Sequence, residues 1–226
     1  MRKKIACLHA HHTNIQYIET AFLKFDMKWL HFVDPGLMDR VASDETFTFS
    51  DASKKVKEQM EWIAGCNVDA ILITCTNYIA FLNEEQLSLS IPIIKIDEPL
   101  FDLVCQAQQP QIMLFTNPAT VEATMKRLHA HARDHGGVDV QSIIIDDAFE
   151  WIMQGLSEKY NQEIVNRLLQ LNEEKRPISV AQLSMVKAAK DYERQTGYTV
   201  MNPLQALVDS MAIQLDLGTS IATEHV

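Results

Sequence analysis

Short, continuously apolar runs recur along the chain, separated by stretches in which apolar residues return every three or four positions. The runs are KIACLHA, KWLHFV, DAILIT, PIIKI, QIMLF, SIIID, ISVAQ and YTVM. A run without strict alternation suits a strand buried on both faces, and such strands belong to parallel sheets covered by helices. Runs alternating with amphipathic segments therefore predict an α/β fold.

The intervening segments carry helix punctuation. Ser50 or Asp51 opens one through Val56, Met60 and Ile63, with Gly65 placed to end it. A second is expected from Ala119 to about His135, closed by Gly136 and Gly137. The longest runs from Ser157 to about Lys175 and buries Tyr160, Ile164, Leu168 and Leu171. Two arrays of similar length emerge, residues 1–98 and 99–202, each with about four strands. This organisation predicts two pseudo-symmetric, doubly wound lobes with parallel sheets and a ligand cleft between them. Pro203 begins a last helical stretch to about Leu217, and the C-terminal segment 203–226 is expected to pack back on the first lobe.

Composition narrows the function classes. The chain has 226 residues, enough for a sizeable core, and only seven Gly and seven Pro, which leaves little material for linkers. Lys and Arg total 20 against 30 Asp and Glu, a formal charge of −10 with the basic residues dispersed, which disfavours nucleic acid as a partner. The four cysteines show no C-x-x-C spacing, arguing against a disulfide framework or a thiolate metal site and for a reducing compartment. MRKKIACLHAHH lacks the apolar length of a signal segment, and no run approaches a membrane span. The expectation is a soluble, cytoplasmic protein.

Residues 71–78, ILITCTNY, are the most informative stretch. An apolar strand stops at Cys75, Thr76 and Asn77, so a thiol, a hydroxyl and an amide arrive together at the strand end, where ligands bind in open α/β sheets. The next helix is about to begin, and its unpaired N–H groups can favour a thiolate or hold a carboxylate. An inert, half-buried thiol fits the octapeptide equally well. His9, His11 and His12 arrive at the end of the first strand, and His9 and His11 would share a face of an extended chain. They read as an acid/base or substrate donor near Cys75, or as an H-x-H metal pair of a hydrolase. His131 and His135 share a helix face, and Asp34 in VDPG reads as its own turn's acceptor. Asp146 and Asp147 read as caps of the segment that follows them.

LHAHHTN (8–14), HFVDPGLM (31–38), ITCTNY (73–78), IPIIKIDEPL (91–100), IMLFTNPATVEATM (112–125) and VAQLSM (180–185) occur in an order that resembles the aspartate/glutamate/hydantoin racemase superfamily. The resemblance covers nearly the whole chain. It implies cofactor-independent acid/base chemistry at the carbon next to a carboxylate, with one cysteine from each lobe, and it is compatible with a homo-oligomer. Carried onto this sequence, it implies Cys75 as the catalytic thiol and no metal. Thr76 and Asn77 in the first lobe and Thr116, Asn117 and Thr120 in the second would hold the carboxylate of a small substrate. Ordinary turn and capping chemistry is the other reading of that second set.

The sequence departs from the family pattern in VAQLSM, where Gln182 fills the place of the second cysteine and Ser184 lies nearby. Neither is an efficient base near neutral pH. Cys7, Cys66 and Cys105 read as packing residues. The expectation is thus an isomerase or lyase with one thiol, to which Gln182, Ser184, His9 and His11 add substrate contacts. An inactive carboxylate-binding protein of the same fold, and a metal-dependent hydrolase using His9 and His11, remain the alternatives.

Overall fold

A computed structural model describes residues 2–218 of the chain. They divide into two compact units, one ending at Ile96 and resuming at Val208, the other spanning Asp97–Leu207. Among the described residues no helix is long and apolar enough to cross a membrane.

The first unit contains β1 (Lys3–His9), α1 (Asn14–Ala21), β2 (Met27–Val33), α2 (Gly36–Ser43), α3 (Phe49–Ala64), β3 (Ala70–Ile73), α4 (Thr76–Phe81) and β4 (Ile93–Lys95). Its four strands are all parallel, in the order β2-β1-β3-β4. The central pair β1 and β3 is buried almost end to end, as the continuous apolar runs require. Helix α3 begins earlier than expected. Thr48 is its N-cap, and Asp51 is the N3 partner of a reciprocal capping box: Asp51 N donates to Thr48 Oγ1 at 3.2 Å, and Thr48 N donates to Asp51 Oδ2 at 2.9 Å. Thr48→Ala is expected to lower stability by about 1 kcal/mol, read as a shift of the urea midpoint at unchanged slope.

The second unit contains α5 (Glu98–Gln106), β5 (Gln111–Phe115), α6 (Val121–Ala132), β6 (Val140–Ile144), α7 (Ala148–Met153), α8 (Ser157–Leu171), β7 (Ile178–Val180) and α9 (Val186–Thr196). Its sheet is also parallel, in the order β6-β5-β7. The expected YTVM strand is reduced to a single parallel bridge, Ser179 to Met201. Side chains alternate about β5. Ile112 and Leu114 join a cluster with Tyr160, Ile164 and Leu168 of α8, whereas Met113 and Phe115 join one with Leu100, Phe101, Val104 and Leu128. Helices therefore cover both faces, the doubly wound arrangement. Gly136 ends the α6 segment in left-handed backbone (φ 87°), and Lys175 ends that of α8 (φ 53°).

The unit boundary falls within α10 (Pro203–Gln214), which starts at Pro203 as expected. Residues 219–226 of the expected C-terminal segment lie outside the described residues. Both units repeat one strand order, second-first-third, which is the two-lobed α/β fold expected from the sequence.

Candidate active site

Cys75 follows β3 by two positions and occupies the N-cap of α4, in extended backbone (φ −121°, ψ 118°). Gln182 follows β7 by two positions and precedes a 3-10 turn, Leu183–Met185, again in extended backbone (φ −123°, ψ 145°). Each of these strands pairs with the first strand of its own sheet, β3 with β1 and β7 with β5. Cys75 and Gln182 thus hold equivalent places in the two units, one carrying a thiol and the other an amide.

Cys75, Thr76 and Asn77 are all half-buried. The N–H groups of the first turn of α4 have no partner within the helix, which leaves donors at this strand end. The next residue, Tyr78, is buried, and its hydroxyl donates to Asp34 O at 2.7 Å. Burial, with the nearby Asp34, raises the Tyr78 phenol well above its ordinary range, so it stays protonated. Asp34 Oδ1 accepts from Gly36 N at 2.9 Å and Leu37 N at 3.3 Å, the turn role expected of it. Its other carboxylate oxygen accepts from the Gln59 amide.

His9 is fully buried and stands beside the thiol's strand through a neighbour: its Nδ1 meets Thr74 Oγ1 at 2.8 Å, one residue before Cys75. Its Nε2 meets His31 Nδ1 at 2.9 Å. Burial first, and then His31, bring the His9 pKa down to about 4, so the ring is neutral at ordinary pH. The sequence placed His9 and His11 on one face of an extended chain, but β1 ends at His9. His11 lies in an exposed turn, where its Nδ1 meets Thr13 Oγ1 at 2.8 Å and its ring packs against His12. Desolvation and then His12 lower the His11 pKa. The structure therefore does not bring these two histidines together, and the group able to hold a metal that contains His9 is completed by Cys7 and His31.

The second unit does bring its expected residues together, chiefly on one another. Gln182 Oε1 accepts from Thr116 N at 2.8 Å, Thr116 Oγ1 at 2.7 Å and Asn117 N at 3.2 Å. Its Nε2 donates to Thr120 Oγ1 at 3.3 Å, while the Thr120 hydroxyl donates to Asn117 O at 2.9 Å. An amide oxygen with three donors sits as a carboxylate oxygen would. Asn117 Oδ1 accepts from Ala119 N at 3.0 Å, which is turn chemistry. Ser184 reaches this network through Tyr160, whose hydroxyl lies 2.7 Å from Ser184 Oγ and 3.0 Å from Thr116 Oγ1.

Sequence reasoning missed Tyr160, which it assigned to the core for its helical spacing alone. The signal was the residue type, because a buried tyrosine needs a partner for its hydroxyl. It also missed His31 in KWLHFV and Glu19, whose Oε1 lies 3.4 Å from His31 Nε2. His131 is partnered by Asp102 at 2.7 Å and stacks on His135. Asp147 stands at the start of α7 without a side-chain cap, contrary to expectation. A separate cavity of about 290 Å³ in the first unit is lined by Leu8, Phe32, Asp34, Gln59 and Trp62 among others, and by none of the expected site residues.

No profile of a known sequence family and no protein of curated function matches the chain. Solved structures do. The aspartate racemase of Picrophilus torridus is 12% identical, with a TM-score of 0.72 and 96% of each chain covered. The glutamate racemase of Francisella tularensis, solved with D-glutamate, is 13% identical with a TM-score of 0.67, over 97% of this chain and 84% of that one. The allantoin racemase of Klebsiella pneumoniae is 17% identical with a TM-score of 0.62, over 98% and 91%. The chain has the two-lobed α/β fold of the aspartate, glutamate and allantoin racemases.

Proposed function

We propose that the protein is a racemase-like isomerase or lyase acting at the carbon next to the carboxylate of a small substrate, with Cys75 as its one acid/base thiol and no cofactor in the reaction. The observation that carries this reading is the equivalence of Cys75 and Gln182: one unit presents a thiol at its strand end and the other an amide. Thr76 and Asn77 would hold the substrate carboxylate, whose oxygens gain charge as the neighbouring C–H bond breaks. The proton passes to the Cys75 thiolate and returns to the carbon it left. One base serving one face exchanges that hydrogen without inverting the centre, or protonates the carbanion left when a second carboxylate departs as carbon dioxide. Inversion would need a water or His11 on the opposite face. The buried His9 would act through Thr74 rather than on substrate.

A second reading, a carboxylate-binding protein without turnover, is favoured by one observation. Gln182 already accepts from the donors that the second unit would otherwise offer an anion. Incubation with acidic amino acids, hydantoins and substituted malonates in D₂O separates the two. Deuterium at the α-carbon of one substrate class, followed by NMR, is the expected result. Tight binding with no exchange in any class would reject the enzyme in favour of the binding protein.

A further inference from the structure

The face of β1 and β2 that carries His9 gathers three metal-ligating side chains, none of which touches substrate in the proposed reaction. Cys7 and His9 are two residues apart in β1 and point to the same side of the sheet. His31 is the register partner of Cys7 on β2, so it shares that side. One donor atom from each of the three lies within 4.8 Å of the other two. Cys7 and His9 are fully buried, and the His31 side chain is 15% exposed.

The outward-facing nitrogens strengthen the case. His9 turns Nε2 toward His31 Nδ1 and Nδ1 toward Thr74 Oγ1, and the Thr74 hydroxyl has its own acceptor in Leu8 O at 3.3 Å. His31 turns Nδ1 inward and Nε2 toward Glu19 Oε1, at 3.4 Å and without hydrogen-bond alignment; that nitrogen is buried with no other partner among the described residues. Each ring thus has one nitrogen facing the cluster and one facing a hydroxyl or carboxylate, the outer-shell pattern of ligating histidines.

We propose that Cys7 Sγ, His9 Nε2 and His31 Nδ1 bind a divalent cation of the zinc class, with Thr74 and Glu19 as the groups that orient the two rings. Zinc bonds of about 2.0–2.1 Å to nitrogen and about 2.3 Å to sulfur place neighbouring ligand atoms roughly 3.3–3.8 Å apart. The two facing nitrogens need to separate by only a few tenths of an ångström, and the sulfur needs to close in by about 1.3 Å at most. Hydrogen bonding alone accounts for the two imidazoles but gives the third donor, the Cys7 thiol, no part. A thiolate with two imidazoles is a donor set that suits zinc. On binding, the Cys7 S–H bond breaks, the sulfur bonds the metal and one proton leaves to solvent. His9 already carries its proton on Nδ1, donated to Thr74 Oγ1, and the His31 proton moves from Nδ1 to Nε2, the nitrogen that faces Glu19. The ion would tie β1 to β2 and hold Thr74, the residue before Cys75. None of this rests on the reading of Cys75, and the test needs no substrate.

The test is equilibrium dialysis of the full chain against Zn²⁺ alone, and against Co²⁺ with its absorption spectrum recorded. One zinc per chain and a thiolate-to-cobalt charge-transfer band are expected. Cys7→Ala should remove that band, and Glu19→Gln, a change at a half-exposed position, should weaken zinc binding about 10–100-fold. Asp102→Asn, in the cluster with His131 and His135, should change neither reading. Sub-stoichiometric zinc, a cobalt spectrum with no thiolate band in the unmodified chain, or full affinity in Glu19→Gln would each overturn the proposal. The unmodified chain and the Glu19 variant decide the matter even if Cys7→Ala does not fold.

Discussion

Cys75→Ser is expected to reduce deuterium incorporation at the α-carbon of the accepted substrate by on the order of 10²–10⁴-fold, the usual contribution of a positioned acid/base group. A serine hydroxyl is close to isosteric with the thiol but does not ionise near neutral pH, so the variant retains shape and loses the base. The substitution lies at a half-buried N-cap position, where serine is itself a favoured cap, and the fold should persist. Substrate binding, measured by calorimetry, should change far less than exchange, because the carboxylate is assigned to Thr76 and Asn77. Equal loss of both would transfer Cys75 from chemistry to binding. Undiminished exchange would remove it from the site.

The largest expected effect on stability is at Asp97. Arg127 Nε and Nη2 each donate to this carboxylate at 2.9 Å, a bidentate pair in which the Asp97 side chain is 4% exposed and that of Arg127 23%. Asp97→Asn leaves the guanidinium largely buried beside a neutral amide, with Glu98 nearby at 3.6 Å. The expected cost is about 3 kcal/mol, the lower end for breaking a buried pair because Arg127 keeps some water. A chemical denaturation curve reads this directly. Replacing both partners, Asp97→Asn with Arg127→Met, should recover much of the loss, since no charge is then left without its counterpart. A single variant as stable as the parent would mean that solvent screens the pair.

The strands were largely legible because a parallel sheet buried on both faces demands apolar runs, and β1, β3 and β5 are such runs. YTVM was not a strand despite its composition; Val200 packs in the core, but only Met201 bridges to the sheet. Helix α3 was found and its start misplaced, because a capping box closed by Asp51 looks from sequence alone like an aspartate opening the helix. The equivalence of Cys75 and Gln182 was also legible, since both follow a strand by a fixed step. What Gln182 does was not. Its contacts with Thr116 and Asn117 span 66 and 65 residues and depend on β5 and β7 being neighbours. The same holds for His9 and His31, which are 22 residues apart in sequence and meet only through the register of β1 on β2. Alternation tells which face a side chain takes, and register tells whom it meets there.

A structure with a bound substrate carboxylate offers the most direct test of the account. The α-carbon is expected about 3–3.5 Å from Cys75 Sγ, within reach for proton transfer, with a carboxylate oxygen on Thr76 or Asn77. A carboxylate seated instead in the cavity beside Asp34 and Trp62, with Cys75 untouched, would contradict it.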